Sequence, residues 1–193
     1  MEAGTGDSCR NSCRGFVLTG GRSSRMGRDK ALLPMGDSTL VERIAAQVRA
    51  AAGNVTLIGA PERYEGLGIP VAADLRADCG PLGGVYTALA LTDSPWNLIV
   101  ACDMPGLTGD FLAALLRAAV HCGSDCLVPQ TPGGLHPLCA VYHRRTLAAV
   151  KQALTTKSLK MHDLVKGLQA EIWPVEEAAL LENVNTPMEW GVR

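Results

Sequence analysis

Short apolar runs alternate with segments whose apolar residues recur every three or four positions along the 193-residue chain. "RGFVLT" (14–19) reads as a strand, and "STLVERIAAQVRAA" (38–51) has the spacing of a helix. Ser38 can cap that helix, Glu42 stands in its first turn and Gly53 ends it. "NVTLIG" (54–59) and "GIPVAA" (68–73) predict two more strands. "GPLGGVYTALALTD" (80–93) predicts a helix opened by Pro81, with Gly83 and Gly84 weakening its first turns. "WNLIVACD" (96–103) is a continuous apolar strand of the kind buried in parallel sheets. Thr108 then caps a helix with apolar residues at 111, 112, 115, 116 and 119. The strand-like "DCLVPQ" (125–130) and "LHPLCAVYH" (135–143) flank a glycine turn at 133–134. Helices at 144–154 and 158–168 and a strand at 170–175 follow. Strands alternating with helices predict an α/β domain whose mostly parallel sheet is covered on both faces. Ligands of such sheets bind beyond the carboxyl ends of the strands, which points to the loops starting at Thr19, Ala73 and Cys102.

Composition narrows the classes. Apolar residues make up 47% and the formal charge is −1, which argues against disorder and against general nucleic-acid affinity. Aromatics at 4% argue against stacking platforms for single strands. No apolar run approaches the roughly 20 residues of a membrane span. "MEAGTGDSCRNSCRG" lacks the apolar core of a signal peptide, so a cytoplasmic protein with no membrane partner is expected. Residues 1–13 read as a disordered N-terminal tail and 14–193 as one domain. Of the seven cysteines, Cys9 and Cys13, and Cys122 and Cys126, stand four apart rather than at zinc-knuckle spacing. Reduced, mostly buried thiols are the expectation.

The densest chemistry is "LTGGRSSRMGRDKALLP" (18–34), with three glycines and four basic residues around one acid. It is not a P-loop, because Arg28-Asp29 follow Gly27 where Lys-Ser/Thr belongs. Nor is it a dinucleotide fingerprint, because Gly20 and Gly21 are adjacent and Pro34 interrupts any helix. A third construction remains. Gly20 and Gly21 let backbone N–H groups close on an anion, and Ser23 and Ser24 carry hydroxyls. Arg25 offers a planar fork for phosphate oxygens, Lys30 a compact charge, and Asp29 a means of holding that lysine.

This loop resembles the signature of the molybdenum cofactor guanylyltransferase family within the nucleoside triphosphate transferases. "DLRADCGPLGGVYTAL", "LIVACDMPGL", "HPLCAVY" and "ENVNTPMEW" resemble further motifs of that family in order, over about residues 15–190. The resemblance implies a Rossmann-like three-layer α/β/α domain of the nucleotide-diphospho-sugar transferase type. It implies transfer of GMP from GTP to the terminal phosphate of molybdopterin, with pyrophosphate released. GTP and molybdopterin would be the small-molecule partners, beside transient contacts with cofactor-synthesis proteins or apo-molybdoenzymes. By the same resemblance Leu18, Thr19, Gly20 and Gly21 line the triphosphate, while Arg25 and Lys30 offset its charge. Asp103, at the end of "NLIVA", is the Mg²⁺ ligand, as suits a hard cation held by one or two carboxylates. Asp74, rather than Asp78, holds the guanosine, and His136, Asn183 and Asn185 face the acceptor. One departure bears on specificity. Where the family often has asparagines after the second strand, "IGAPER" places Gly59 and Pro61. That leaves a CTP-dependent cytidylyltransferase as an alternative, and a non-catalytic nucleotide-binding partner of molybdoenzymes as a rival from another class.

Overall fold

The computed structural model describes residues 12–19 and 29–184. Its main sheet contains β1 (Cys13–Leu18), β4 (Thr56–Ile58), β5 (Val71–Ala72), β6 (Trp96–Ala101), β7 (Cys126–Thr131), β9 (Cys139–His143) and β10 (Ala170–Pro174). These lie in the order β10-β7-β9-β6-β1-β4-β5, and a short β8 (Gly134–Leu135) pairs with β7. β1 runs parallel to both β4 and β6, and β10 parallel to β7. β9 runs against both of its neighbours, so the sheet is mixed but mostly parallel. Cys13, assigned above to the tail, is the first residue of β1 and is buried.

The two-residue alternation of strand side chains divides the core into two layers. On one face Val17, Leu98, Val100 and Val141 pack against α1 (Leu40–Ala52) and α4 (Gly109–His121). On the other, Phe16, Ile99, Val128 and Tyr142 pack against α3 (Pro81–Ala90), α5 (Leu147–Thr155) and α6 (Met161–Gly167). The helical spacing read from the sequence holds in α4, where Leu112, Leu115, Leu116 and Ala119 are buried. Phe111, at the rim of that stripe, stacks on Trp173 of β10 with ring centroids 6.0 Å apart.

Several boundaries differ from the sequence reading for identifiable reasons. Thr39, not Ser38, caps α1, accepting from the Glu42 amide while the Glu42 carboxylate accepts from the Thr39 amide in a reciprocal capping box. Ser38 instead pairs with Met35 in a small hairpin of β2 (Pro34–Met35) and β3 (Ser38–Thr39), turned at Gly36 with φ 62°. The segment 135–143 is not one strand, because His136–Leu138 leave the ladder between β8 and β9. A one-turn α2 (Pro61–Tyr64), which has no apolar period to announce it, follows β4.

Candidate active site

All parallel strands of the sheet end at the same edge. Across it lie, in strand order, residues 136–138 before β9, Asp103 after β6, Thr19 after β1, Gly59 after β4 and Asp74 after β5. Asp74 and Asp103 are therefore three strand spacings apart, roughly 14 Å at about 4.8 Å each.

Asp103 sits two residues beyond β6. Its Oδ1 is buried and has no hydrogen-bond partner among the described residues. Burial pushes the carboxyl above its usual range, against the opposing pull of its own backbone amide and of the Lys30 charge. The Asp103 carbonyl accepts the Val184 amide at 2.9 Å, so the C-terminal segment is tied to the strand that carries the carboxylate. Cys102, beside it, is a thiol pushed up to about 12 by burial and by the neighbouring Asp103 and Asp29 carboxylates, so it stays protonated.

The ends of the glycine loop are anchored from several sides. Thr19 directs both its amide and its hydroxyl to the Ile58 carbonyl, each at 3.0 Å. Asp29 accepts the Ala31 amide at 3.0 Å and so caps the 3-10 turn Lys30–Leu32. Its other oxygen accepts from the Tyr64 hydroxyl at 2.6 Å and approaches Arg63 at 3.5 Å. Asp29 thus holds Lys30 through the backbone of that turn. A Cβ at Gly59 would lie 2.0 Å from Thr19 Oγ1 and 3.2 Å from the Tyr64 ring, so the threonine hydroxyl fills the space a side chain would need.

Asp74 uses Oδ1 to accept from the Arg76 amide at 2.9 Å and the Thr87 hydroxyl at 2.8 Å. Oδ2 accepts nothing from the described residues. Gly83 lets the start of α3 come down on this turn, since a Cβ there would lie 2.4 Å from the Arg76 carbonyl. Gly84 lies against Leu18, whose buried side chain belongs to the core and whose carbonyl accepts the Cys102 amide at 3.2 Å. Asp78 is exposed and takes a positive φ of 63°.

On the other side of Asp103, His136 Nε2 lies 2.9 Å from Thr131 Oγ1, and burial lowers the pKa of the ring. The Leu138 carbonyl accepts the Ala101 amide at 2.7 Å, which brings residues 136–138 alongside the end of β6. Asn183 is exposed beside the anchored Val184. Gly20, Gly21, Arg25 and Asn185 lie outside the described residues. Lys30, Thr19 and Asp103 are brought together, Asp74 sits farther along the edge, and Leu18 serves by its backbone and its packing. Tyr64 escaped the sequence reading because nothing near it in the chain marks a role; its partners are 35 and 45 residues away.

Among the described residues no group of three or more His, Cys, Asp or Glu side chains could hold a metal ion. Cys79, Cys102, Cys122, Cys126 and Cys139 form no disulfide among the described residues. No helix of the described residues is long and apolar enough to cross a membrane.

A mixed sheet of this order, with a carboxylate after β6 beside the strand that leads into the glycine-rich basic sequence, has the arrangement of a nucleotide-binding α/β domain. A similar fold occurs in the crystal structure of molybdopterin-guanine dinucleotide biosynthesis protein A from Archaeoglobus fulgidus, with TM-score 0.79 and 22% identity over 92% of this chain and 95% of that one. A manganese complex of Rv0371C from Mycobacterium tuberculosis matches with TM-score 0.69 and 17% identity over 93% and 95% of the two chains. The chain belongs to the MobA-like NTP transferase domain family, which matches residues 15–171. It is 36% identical over 187 residues to the molybdenum cofactor guanylyltransferase of Xanthomonas euvesicatoria, covering 92% of each chain. It is 32% identical over 176 residues to a probable molybdenum cofactor guanylyltransferase of Flavobacterium johnsoniae, covering 90% of this chain and 92% of that one.

Proposed function

We propose that this chain transfers GMP from GTP to the terminal phosphate of molybdopterin, forming molybdopterin guanine dinucleotide and releasing pyrophosphate. The observation that carries the reading is the unpartnered, buried Oδ1 of Asp103 within the field of Lys30. A desolvated carboxylate with a free oxygen suits a hard cation, and Mg²⁺ is the ion proposed, with Asp103 as its protein ligand. When bound, Mg²⁺ would neutralise phosphate charge and orient the triphosphate.

The residues divide the work along the sheet edge. An oxygen of the acceptor phosphate attacks the α-phosphorus, the bond from that phosphorus to the β-phosphate oxygen breaks, and pyrophosphate carries off the electron pair. No covalent intermediate on the protein is needed. Lys30, with Arg25, offsets charge that builds on the transferred and leaving groups. Gly20 and Gly21 admit the triphosphate to backbone amides, and Leu18 and Thr19 anchor that loop to β4 and β6. Asp74 keeps one carboxylate oxygen for guanosine while the other fixes its own turn. With the space at Gly59 filled by Thr19, base choice falls to Asp74 and the start of α3. His136, Asn183 and Asn185 are proposed to face the acceptor, which holds the two anionic reactants in line.

Calorimetric titration with GTP, CTP, UTP and ATP, with and without Mg²⁺, tests the reading. GTP-selective binding strengthened by Mg²⁺ supports it. A preference for CTP moves the chain to cytidylyl transfer with the same machinery, and no nucleotide binding overturns the enzymatic reading. Lys30→Ala and Asp103→Ala should each abolish turnover with the fold intact, and near-normal rates would remove that residue from its role.

A further inference from the structure

Both ends of the glycine loop converge on one side chain that neither the sequence nor the family motif singles out. Tyr64, at the end of α2, is 1% exposed. Its hydroxyl lies 2.6 Å from Asp29 Oδ2, just after the loop, and 3.4 Å from the Thr19 carbonyl, just before it. The proton goes to the carboxylate in the shorter, charge-assisted bond. Asp29 Oδ1 is engaged by the Ala31 amide at 3.0 Å, so the carboxylate is shared between the tyrosine and the turn that bears Lys30. The edge of the Tyr64 ring closes on Gly59, whose missing side chain makes room for Thr19 Oγ1 and its bond to Ile58. Burial and the adjacent Asp29 push the phenol well above its ordinary range, so the hydroxyl remains a donor across the working pH range.

We propose that Tyr64 is a positioning residue for nucleotidyl transfer, acting through Asp29 to set the direction of Lys30 and to hold the two ends of the triphosphate loop at a fixed separation. The hydroxyl touches no substrate; its contribution is preorganisation of a charge that must already be in place when the phosphates arrive. The inference rests on the function proposed above and adds to it a residue that works from behind the site.

The test is a double-mutant cycle on Tyr64→Phe and Asp29→Asn, read as kcat/KM for GTP and as KM for the molybdopterin acceptor. Loss of a hydrogen bond to a charged group should lower kcat/KM for GTP by about tenfold or more, with the acceptor KM unchanged. The double variant should lose no more than the worse single one, because the tyrosine acts through the carboxylate. Losses that add, an acceptor KM that rises in step, or an unchanged Tyr64→Phe enzyme would each overturn the proposal. If Tyr64→Phe does not fold, Asp29→Asn carries the test alone: the same selective loss supports the clamp and unaltered kcat/KM for GTP overturns it. If the wild-type protein transfers no GMP, the functional reading fails separately, and amide exchange then judges the clamp. Exchange at Ala31 about tenfold faster in Tyr64→Phe supports the clamp, and unchanged exchange overturns it.

Discussion

Replacing Asp103 with Asn should make the protein more stable while removing its activity. The carboxylate is buried, its Oδ1 lacks a partner among the described residues, and burial holds its pKa above the usual range. An unmet buried acceptor costs about 1–3 kcal/mol, more when charged. The Lys30 charge and the residue's own amide offset part of that. Asn keeps the shape and removes the charge, so a net gain of about 1 kcal/mol is expected near pH 7, or roughly 2–4 °C in a chain of this size. The sign follows from linkage. A carboxyl raised in the folded state contributes stability that is complete below its ordinary value and is lost as pH rises through the raised one. The gap between Asp103→Asn and wild type should therefore be widest at neutral to alkaline pH and close as pH falls toward the ordinary carboxylate range. Calorimetric melting in chelator-treated buffer between pH 5 and pH 8 measures it. Adding Mg²⁺ should reverse the order, since a ligand at 100 times its Kd contributes about 2.7 kcal/mol to the wild type and nothing to the variant. A variant that melts at or below the wild type at every pH without metal would refute the reasoning, because it would mean that Asp103 is satisfied within the protein.

The two glycines at the start of α3 should behave oppositely. Helix propensity alone favours Gly→Ala by about 1 kcal/mol, yet Gly83→Ala should cost about 1–3 kcal/mol through overpacking and weaken nucleotide binding. Its Cβ would strike the Arg76 carbonyl at 2.4 Å beside Asp74. Gly84→Ala meets the buried Leu18 side chain at 3.0 Å, which must give by a few tenths of an ångström, and should be close to neutral in the same melting assay because that strain offsets the gain in helix propensity. Thr39→Ala should lose about 1–2 kcal/mol with the capping box, whereas Ser38→Ala should stay within about 0.5 kcal/mol; chemical denaturation distinguishes them, and equal losses would return the cap to Ser38. Gly59→Ala should destabilise by about 1–3 kcal/mol, and Thr19→Ala in the same chain should cancel part of that loss by vacating the contested space. Strictly additive melting shifts would deny that the two positions share it.

Features set by local physics are legible in the amino-acid sequence alone. The three- and four-residue spacing of 112, 115, 116 and 119 makes one face of α4 apolar, and that face is buried. The apolar run at 98–101 fits a strand covered on both sides, and it lies inside the sheet between β1 and β9. The concentration of glycine, arginine and lysine after β1 motivates the proposed anion site, because those residue types bring backbone amides and positive charge to phosphate. Such features depend on neighbours within a turn or two, and chain geometry alone sets their period. What tertiary structure decided lies between residues that sequence distance separates: the reversal of β9, the docking of Val184 on Asp103, the exchange of space between Thr19 and Gly59, and the reach of Tyr64 to Asp29. No local propensity encodes which strands become neighbours. Buried polar partners such as the Tyr64 hydroxyl and the Asp29 carboxylate meet only once the β1–β4 pairing has placed α2 beside Thr19 and Asp29.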